Sequence, residues 1–132
     1  NSAVATVSVS GVITPVSAGT VVITATQAAV TGVNAQATQT YTLTVAALPV
    51  PVLTFTTPTS ASVVMGNNLT NAASSTLSGG SYGMISYSSA NSAVATVSVS
   101  GVITPVSAGT VVITATQAAV TGVNAQATQT YT

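Results

Sequence analysis

Residues Asn1–Thr42 read NSAVATVSVSGVITPVSAGTVVITATQAAVTGVNAQATQTYT, and the same letters return without a change at Asn91–Thr132. The two copies start 90 residues apart, so the period is longer than the repeated stretch itself. Self-similarity at a fixed period is the signature of a chain built from repeated structural units. The repeat therefore predicts a module of 90 residues, of which this chain holds about one and a half.

The repeated stretch has the pattern of β-strands. Apolar residues alternate with threonines in TVVITAT (Thr110–Thr116), and the alternation is longer still in TQTYTLTVA (Thr38–Ala46). Alternation with a period of two is typical of a strand that buries one face. The residues expected to point inward on these two strands are Val111, Ile113 and Ala115, and Tyr41, Leu43 and Val45.

Similar short runs rich in Val, Ile and Thr recur along the rest of the chain, separated by clusters of Gly, Pro, Asn and Ser. This spacing is typical of an all-β sandwich or barrel. Further strands are predicted at Val52–Thr57, Ala61–Met65, Leu69–Leu77, Met84–Ser89, Val94–Val99 and Val102–Thr104, with Pro58 interrupting the first two.

Pro49 and Pro51 mark a stiff linker, because proline fixes φ and favours an extended backbone. We therefore expect residues 1–47 to be the C-terminal half of one module. Residues 48–132 are expected to be the next module, lacking the end of its last strand. Asn1 is not an initiator methionine, so the sequence is expected to lie inside a longer chain.

The composition excludes several classes of protein, because the chain contains no Lys, Arg, Asp, Glu, His or Cys. Without cations it cannot bind nucleic acid by neutralising phosphates. Without acids, imidazoles or thiols it has no acid–base pair, no activated nucleophile and no metal cage. We therefore expect no enzyme activity, no cofactor, no metal and no nucleic acid. The longest apolar run, Ala46–Leu53, is broken by two prolines and is far shorter than a membrane span of ~20 residues, so no membrane insertion is expected in this stretch.

The run SYSSANSAVATVSVSGVITPVSAGTVVITATQ (Ser86–Gln117) combines an aromatic-Ser-Ser strand, Val-Ala-Thr-Val, a Gly-Val-Ile-Thr turn and Ala-Gly-Thr-Val-Val-Ile-Thr-Ala. In these motifs it resembles the bacterial immunoglobulin-like domains of group 2, although the match is loose across Leu69–Gly83. The resemblance implies an immunoglobulin-like sandwich in which Tyr87 takes the place of a core Trp. It also implies tandem modules of secreted or surface-attached proteins, and hence an extracellular or cell-surface location. The positions it implies to be buried are Ala95, Val97, Ile103, Val111, Ile113 and Ala115.

Together these observations predict an all-β fold of immunoglobulin-like β-sandwich modules in tandem with a 90-residue period. The expected function is a structural repeat of a long extracellular bacterial filament or adhesin stalk, acting as a mechanical spacer. The alternative is an adhesive module that binds glycan, mineral or ice. The predicted core comprises Tyr41, Tyr87, Val97, Ile103, Val111 and Ile113.

One surface stands out as a candidate for self-assembly or adhesion, and we call it the Thr face. Neighbours two apart on a strand are about 6.7 Å apart, so a threonine ladder presents a regular array of hydroxyl and methyl groups. Such an array could pack laterally against a second copy or against a glycan, mineral or ice surface. The simpler interpretation is that threonine is a good exposed strand residue. The Thr face comprises Thr24, Thr26, Thr38, Thr40, Thr42 and Thr44.

The expected partners are copies of the chain itself. Strand edges are usually protected by charges, and Thr110–Thr116 has none, so pairing between modules or chains is expected unless prolines or bulges block it. Identical neighbouring modules also favour strand exchange. Two minor features have simpler interpretations. Asn68–Leu69–Thr70 is an acceptor triplet for glycosylation, but such triplets arise easily by chance. Tyr82 lies in the glycine loop, Ser78–Gly83, where local packing is favoured over ligand contact.

Overall fold

The computed structural model describes residues 1–57 and 59–132 of the chain. It contains twelve β-strands, and none of the described residues belongs to a helix. The chain divides into two compact units, Asn1–Ala47 (the first unit) and Leu48–Thr132 (the second unit). The strands are β1 Ala5–Val7, β2 Ile13–Pro15, β3 Gly19–Gln27, β4 Ala37–Val45, β5 Leu53–Phe55, β6 Leu69–Thr70, β7 Ala73–Ser75, β8 Ile85–Ser89, β9 Ala95–Val97, β10 Val102–Pro105, β11 Ile113–Gln117 and β12 Ala127–Tyr131.

The second unit contains three antiparallel sheets that share one core. Their strand orders are β6-β10-β9, β12-β11-β8 and β5-β7. Apolar side chains from five of these strands meet between the sheets, as the alternation of inward and outward residues requires. Phe55 lies at the centre, with its ring edge-on to Tyr131 at a centroid distance of 4.5 Å. The buried apolar residues are Leu53, Phe55, Ala95, Ile103, Ile113, Ala115 and Tyr131.

Two of the predicted core residues, Ile103 and Ile113, are buried in this cluster. Tyr87, Val97 and Val111 are half-buried and pack against it. The Tyr87 hydroxyl accepts a hydrogen bond of 2.9 Å from the backbone N–H of Ala73, so this ring has a polar partner at the edge of the core.

The first unit has four strands in two hairpin-like pairs, β1 with β2 and β3 with β4. Its small core consists of Val4, Ala5 and Val21, with Leu43 and Val45 packed against it. The sequence places Tyr41 in the core, but in this unit the ring is 49% exposed. The reason is that the first unit contains no strand corresponding to β5, whose Phe55 covers the equivalent Tyr131 in the second unit.

The turn after β9 shows why the repeat needs glycine. Gly101 adopts a φ of +79°, which side-chain-bearing residues rarely adopt. A Cβ at this position would also lie 3.0 Å from the Cα of Ala72 and 3.2 Å from the ring of Tyr87. The residue therefore serves both the turn and the close approach of the neighbouring chain.

The first half of the second unit departs from the predicted strands in two places. The described residues Ala61–Met65 form no strand: Ala61 donates its N–H to the carbonyl of Thr132, but Val64 and Met65 are exposed before a turn at Gly66. High β-propensity is not sufficient here because, among the described residues, only Ala61 at the start of the segment bonds to a neighbouring strand. The effect that we predicted for Pro58 lies outside the described residues.

The predicted strand Leu69–Leu77 is instead two short strands, β6 and β7, in different sheets. Asn71 separates them. Its side chain is 1% exposed and forms two hydrogen bonds with the backbone of Thr57, accepting from N–H at 2.9 Å and donating to the carbonyl at 3.2 Å. A side chain that competes for backbone groups in this way redirects the chain from one sheet to the other.

The predicted strand Thr110–Thr116 begins only at Ile113 in the second unit, whereas its identical copy β3 begins at Gly19. The difference follows from the partner strand. In the first unit β4 continues to Val45 and pairs with Gly19, while in the second unit the register begins with Ile113 opposite Tyr131.

Candidate interaction surfaces

All six residues of the Thr face lie on one side of the β3–β4 hairpin. Thr24 is directly opposite Thr40 and Thr26 is opposite Thr38, so each pair points the same way. Thr42 and Thr44 continue the β4 row and are exposed, like the other four. The surface is uncharged and carries a hydroxyl and a methyl group at each threonine.

The second unit extends the same pattern to three strands. Thr114 stands between Ser88 on β8 and Thr130 on β12, and Thr116 stands between Ser86 and Thr128. These side chains form two rows of three hydroxyl groups across the sheet. Neighbouring strands are about 4.7–4.9 Å apart, so the grid is regular in both directions.

The opposite side of the β3–β4 hairpin is the second candidate surface, which we call the open face. It comprises Ile23, Ala25, Gln27 and Tyr41. Ile23 is half-buried and the other three are exposed. In addition, β3 pairs only with β4, whereas its identical copy β11 is paired on both sides, with β12 and β8.

The same residues are buried when they occur in the second unit. Ala115 is 0% exposed, Gln117 2% and Tyr131 5%, compared with exposed Ala25, Gln27 and Tyr41. The residues that cover them belong to the segment Leu48–Ala90: Phe55 and Leu53 from β5, and the residues around β7 and the glycine loop.

The buried side-chain amides of Gln117 and Asn124 form hydrogen bonds with the glycine loop and the residues next to it. The Gln117 side-chain N–H₂ donates to the carbonyls of Leu77 at 2.8 Å and Gly83 at 2.9 Å, and its oxygen accepts from the hydroxyl of Ser75. The Asn124 oxygen accepts from the N–H of Gly83 at 3.3 Å. Buried amides are costly without partners, so these contacts specify how the loop docks.

These amides were missed by the reasoning from sequence, although a signal for Gln117 was present. Gln117 continues the inward series Val111, Ile113, Ala115 with the same spacing of two. A polar residue on a buried phase requires a partner from elsewhere in the fold.

The third candidate surface is a cleft of about 500 Å³ in the second unit. The residues that line it include Val94, Ala95 and Val111, together with Met65 and Leu69. The first three correspond to Val4, Ala5 and Val21 of the identical copy. In that copy, Leu43 and Val45 pack against those residues.

Tyr131 also lines this cleft and is buried, with 5% exposure. Its hydroxyl has no hydrogen-bond partner among the described residues. Burial raises the pKa of the Tyr131 phenol above its ordinary value of about 10; the Asn71 side chain opposes the change and Tyr87 adds to it. The phenol is therefore held in its neutral form well into the alkaline range.

The other residues singled out in the sequence are the two linker prolines, Tyr82 and Asn68. Pro51 is buried, and the Pro49 carbonyl accepts a hydrogen bond of 3.0 Å from the N–H of Ala125, so both prolines are built into the second unit. Tyr82 is half-buried beside a smaller cleft at the glycine loop. Asn68 is exposed just before β6.

The family model for the bacterial Ig-like domain (group 2) matches residues 49–128, which is more than half of the chain. The chain belongs to this family. No curated protein and no solved structure gives a significant match to it.

Group 2 bacterial Ig-like domains are structural or adhesion-type modules of bacterial surface and extracellular proteins, and they are generally not enzymes. The all-β fold of the chain, with its sandwich-type core, agrees with this membership. The described residues include no helix that is long and apolar enough to cross a membrane.

Proposed function

We propose that this Ig-like chain is a structural repeat of a long extracellular filament or adhesin stalk, acting as a mechanical spacer that also associates with copies of itself. The observation that carries the proposal is the unchanged recurrence of 42 residues at a distance of 90, in a chain without a single charged side chain. Selection for a repeated shape explains identical copies more simply than selection for a reactive site, for which the side chains are missing.

The ends of the second unit are arranged to resist extension. The Pro49 carbonyl bonds to the N–H of Ala125, and further along Thr132 bonds through its carbonyl to the N–H of Ala61 at 2.9 Å. The early segment and the last strand therefore run in the same direction, with Phe55 against Tyr131 between the bonds. A force pulling Leu48 and Thr132 apart loads these contacts together, in shear.

The dimensions of such a spacer follow from its strands. Strands of ~7 residues at ~3.4 Å per residue, with turns and a linker, give an axial length of roughly 35–45 Å per module. Because the surface has no charge to be screened or titrated at neutral pH, contact between rods should be insensitive to salt.

Electron microscopy of the native full-length protein tests this proposal. Continuous fibres or strings with an axial repeat near one module length are expected, with lateral bundling that is the same at low and high salt. Compact particles without an axial repeat would contradict the spacer function, and bundling that disappears at high salt would contradict the uncharged contact.

A second candidate function is adhesion through the hydroxyl surface, favoured by the two rows of three hydroxyl groups on the second unit. The double variant Thr40→Lys/Thr42→Lys separates the two functions. A spacer should keep its fold and length, whereas an adhesive module should lose retention on cellulose, hydroxyapatite or ice. The matched control is Val9→Lys, which places the same charge on a fully exposed side chain outside the Thr face and outside the rows of the second unit.

A further inference from the structure

We propose that the smaller cleft beside the glycine loop of the second unit binds a neutral saccharide, with the ring of Tyr82 as the surface against which a sugar packs. A mechanical spacer does not require such a site, so the inference goes beyond the proposed function. It also differs from the second candidate function, which places adhesion on the hydroxyl groups of the sheet surface.

The glycine loop is held firmly at its base. The Gln117 side chain donates to the carbonyls of Leu77 and Gly83, and Asn124 accepts from the N–H of Gly83. A Cβ at Gly83 would collide with the carbonyl oxygen of Ala118, so the loop lies directly against the neighbouring backbone. A loop that is fixed before a ligand arrives loses little entropy when the ligand binds.

The tip of the same loop contains a glycine that the packing of the module does not explain. Gly80 does not adopt a positive φ, and a Cβ at this position would meet no atom within 4 Å. Neither the backbone conformation nor a close internal contact therefore requires glycine here. Gly80 follows Gly79, which lines the cleft, and a residue without a side chain allows another molecule to approach the backbone closely.

The cleft has a volume of about 380 Å³, which lies within the range of about 300–1,000 Å³ typical of small-molecule sites. Its largest apolar side chains are those of Tyr82, Met84 and Ile85. Met84 is 85% exposed, and Tyr82 is half-buried. An aromatic ring next to an exposed, flexible thioether forms an apolar contact surface that can adapt to a ligand.

The absence of charge limits the ligands that the cleft can accept. The chain has no Lys, Arg, His, Asp or Glu side chain. A carboxylate, phosphate or ammonium group that entered the cleft would lose water without gaining an ion pair, which is costly. The ligand is therefore expected to be neutral.

The serines of the cleft indicate a ligand with hydroxyl groups. Ser74, Ser75 and Ser78 line it, and the first and last of these are exposed. A purely apolar ligand would cover their hydroxyl groups and leave them without water. A pyranose ring fits both parts of the cleft, because its C–H face packs on an aromatic ring while its hydroxyl groups bond to serine and backbone groups.

A tandem array of modules would present one such cleft in every 90 residues. Sites that bind weakly one at a time retain a polymeric glycan strongly when several act together. This gain in avidity rests on the proposed tandem arrangement, whereas the site itself does not.

A glycan array tests the proposal with the 132-residue chain displayed in many copies on fluorescent beads. The array carries neutral oligosaccharides of glucose, galactose, mannose and N-acetylglucosamine. We expect binding to at least one of these glycans. Titration with that glycan should shift the backbone amide NMR signals of residues 74–85 and leave those of the first unit unchanged. An array without binding to any neutral glycan overturns the proposal.

Four single variants locate the site. Tyr82→Ala should weaken binding by about tenfold, whereas Tyr82→Phe keeps the ring and should bind nearly as the original chain does. The matched control is Tyr41→Ala, which removes an exposed tyrosine far along the sequence from the loop. Met84→Ala should weaken binding several-fold without changing the melting temperature, because Met84 is exposed.

The control for Met84→Ala is Val99→Ala, which shortens another exposed apolar side chain that does not line the cleft. Equal losses in Tyr82→Ala and Tyr41→Ala, or in Met84→Ala and Val99→Ala, would overturn the site. Glycan binding that survives Tyr82→Ala but is lost in Thr40→Lys/Thr42→Lys would also overturn it and would place the ligand on the Thr face.

The spacer function is judged separately by electron microscopy. Fibres from a protein that binds no neutral glycan would support the spacer and overturn the saccharide site. Glycan binding that depends on Tyr82, in a protein that forms no extended fibres or strings, would support the site and contradict the spacer.

Discussion

The two copies of one 42-residue sequence adopt the same local structure in two different surroundings. The turn after the first strand closes with a backbone bond from Ser8 to Val12 at 2.9 Å and from Ser98 to Val102 at 2.8 Å. The later bridge joins Val30 to Asn34 in one copy and Val120 to Asn124 in the other. The glycines of the copies take nearly the same positive φ, +82° at Gly11 and +79° at Gly101.

The two copies differ in how deeply the same side chains are buried. Tyr41 is 49% exposed and Tyr131 is 5% exposed, although their neighbours in sequence are the same for forty residues before them. The Gln117 side chain has three partners in Leu48–Ala90, whereas the identical Gln27 is exposed. The difference teaches that turns and registers are encoded within the 42 residues, while the core is a property of the partner segment.

The largest expected difference in stability between the two units comes from a charge placed at Ala115 or at its counterpart Ala25. Ala115→Lys places an unpaired ammonium at a site of 0% exposure, and we expect a loss of at least about 3 kcal/mol in the free energy of unfolding of the second unit. Ala25→Lys, on the open face, should change the stability of the dilute chain by no more than about 0.5 kcal/mol. Chemical denaturation followed by near-ultraviolet circular dichroism measures both. Equal losses would show that the first unit is buried as deeply as the second.

Removing one amide should give the next largest difference. Gln117→Ala leaves the carbonyls of Leu77 and Gly83 without their donor, so we expect the second unit to lose about 3 kcal/mol. Gln27→Ala removes the same side chain from an exposed site and should be neutral within the error of denaturation curves. Hydrogen exchange should also show faster opening around Gly83 in the first variant and no change in the second. A neutral Gln117→Ala would mean that the glycine loop is held by other contacts.

A proline substitution at Ala125 tests the hydrogen bond to Pro49, which we expect to resist stretching. Ala125→Pro removes the N–H that donates to the Pro49 carbonyl, and we expect a loss of about 1 kcal/mol together with a lower unfolding force in single-molecule stretching. Ala35→Pro is the matched control, because it makes the same backbone change at the same sequence position of the first unit. A loss of stability or of unfolding force that both variants share is due to the local backbone change. The additional loss in Ala125→Pro is due to the missing hydrogen bond to Pro49. An unfolding force that is the same for both variants would contradict the shear arrangement.

The features that could be predicted from sequence are the ones encoded locally or by strict alternation. The spacing of two predicted that Ile113 and Ala115 are buried, and they are. Motifs in Ser86–Gln117 led to the family that the comparison with family models confirms. The sequence predicts that Thr24 and Thr26 lie on the same face as the threonines of the last strand, and the register of β3 with β4 agrees with this. None of these requires knowledge of a distant partner.

The features that failed depend on which segments meet. Ala61–Met65 has strong β-propensity, but nothing local says that its bonding to the last strand ends at Ala61. Asn71 breaks a predicted strand because its amide bonds to Thr57, fourteen residues earlier. Tyr41 alternates with the same period as Tyr131, so sequence alone assigned it to a core that only the second unit completes. The self-assembly and adhesive roles of the Thr face stay predictions.

The smallest expected effect is alkaline destabilisation of the second unit. Burial raises the pKa of Tyr131 in the folded state, so the unfolded chain releases this proton first, near the ordinary tyrosine pKa of about 10. Stability should therefore be constant below that pH and should fall as the pH rises above it, until the folded phenol also ionises. Denaturation of the second unit between pH 7 and pH 11.5, followed by near-ultraviolet circular dichroism, measures this loss.

The two copies again supply the control for this effect. Tyr131→Phe removes a hydroxyl that has no partner among the residues described, so it should leave neutral stability nearly unchanged and flatten the alkaline loss. Tyr41→Phe removes the identical phenol from the first unit and should leave the loss in place, because Tyr131 remains. If Tyr131→Phe loses stability at pH 7, the hydroxyl has a structural role that its burial does not reveal. If the alkaline loss persists in Tyr131→Phe, another tyrosine of the second unit is the group that titrates, and the burial of Tyr131 is not what distinguishes the copies at high pH.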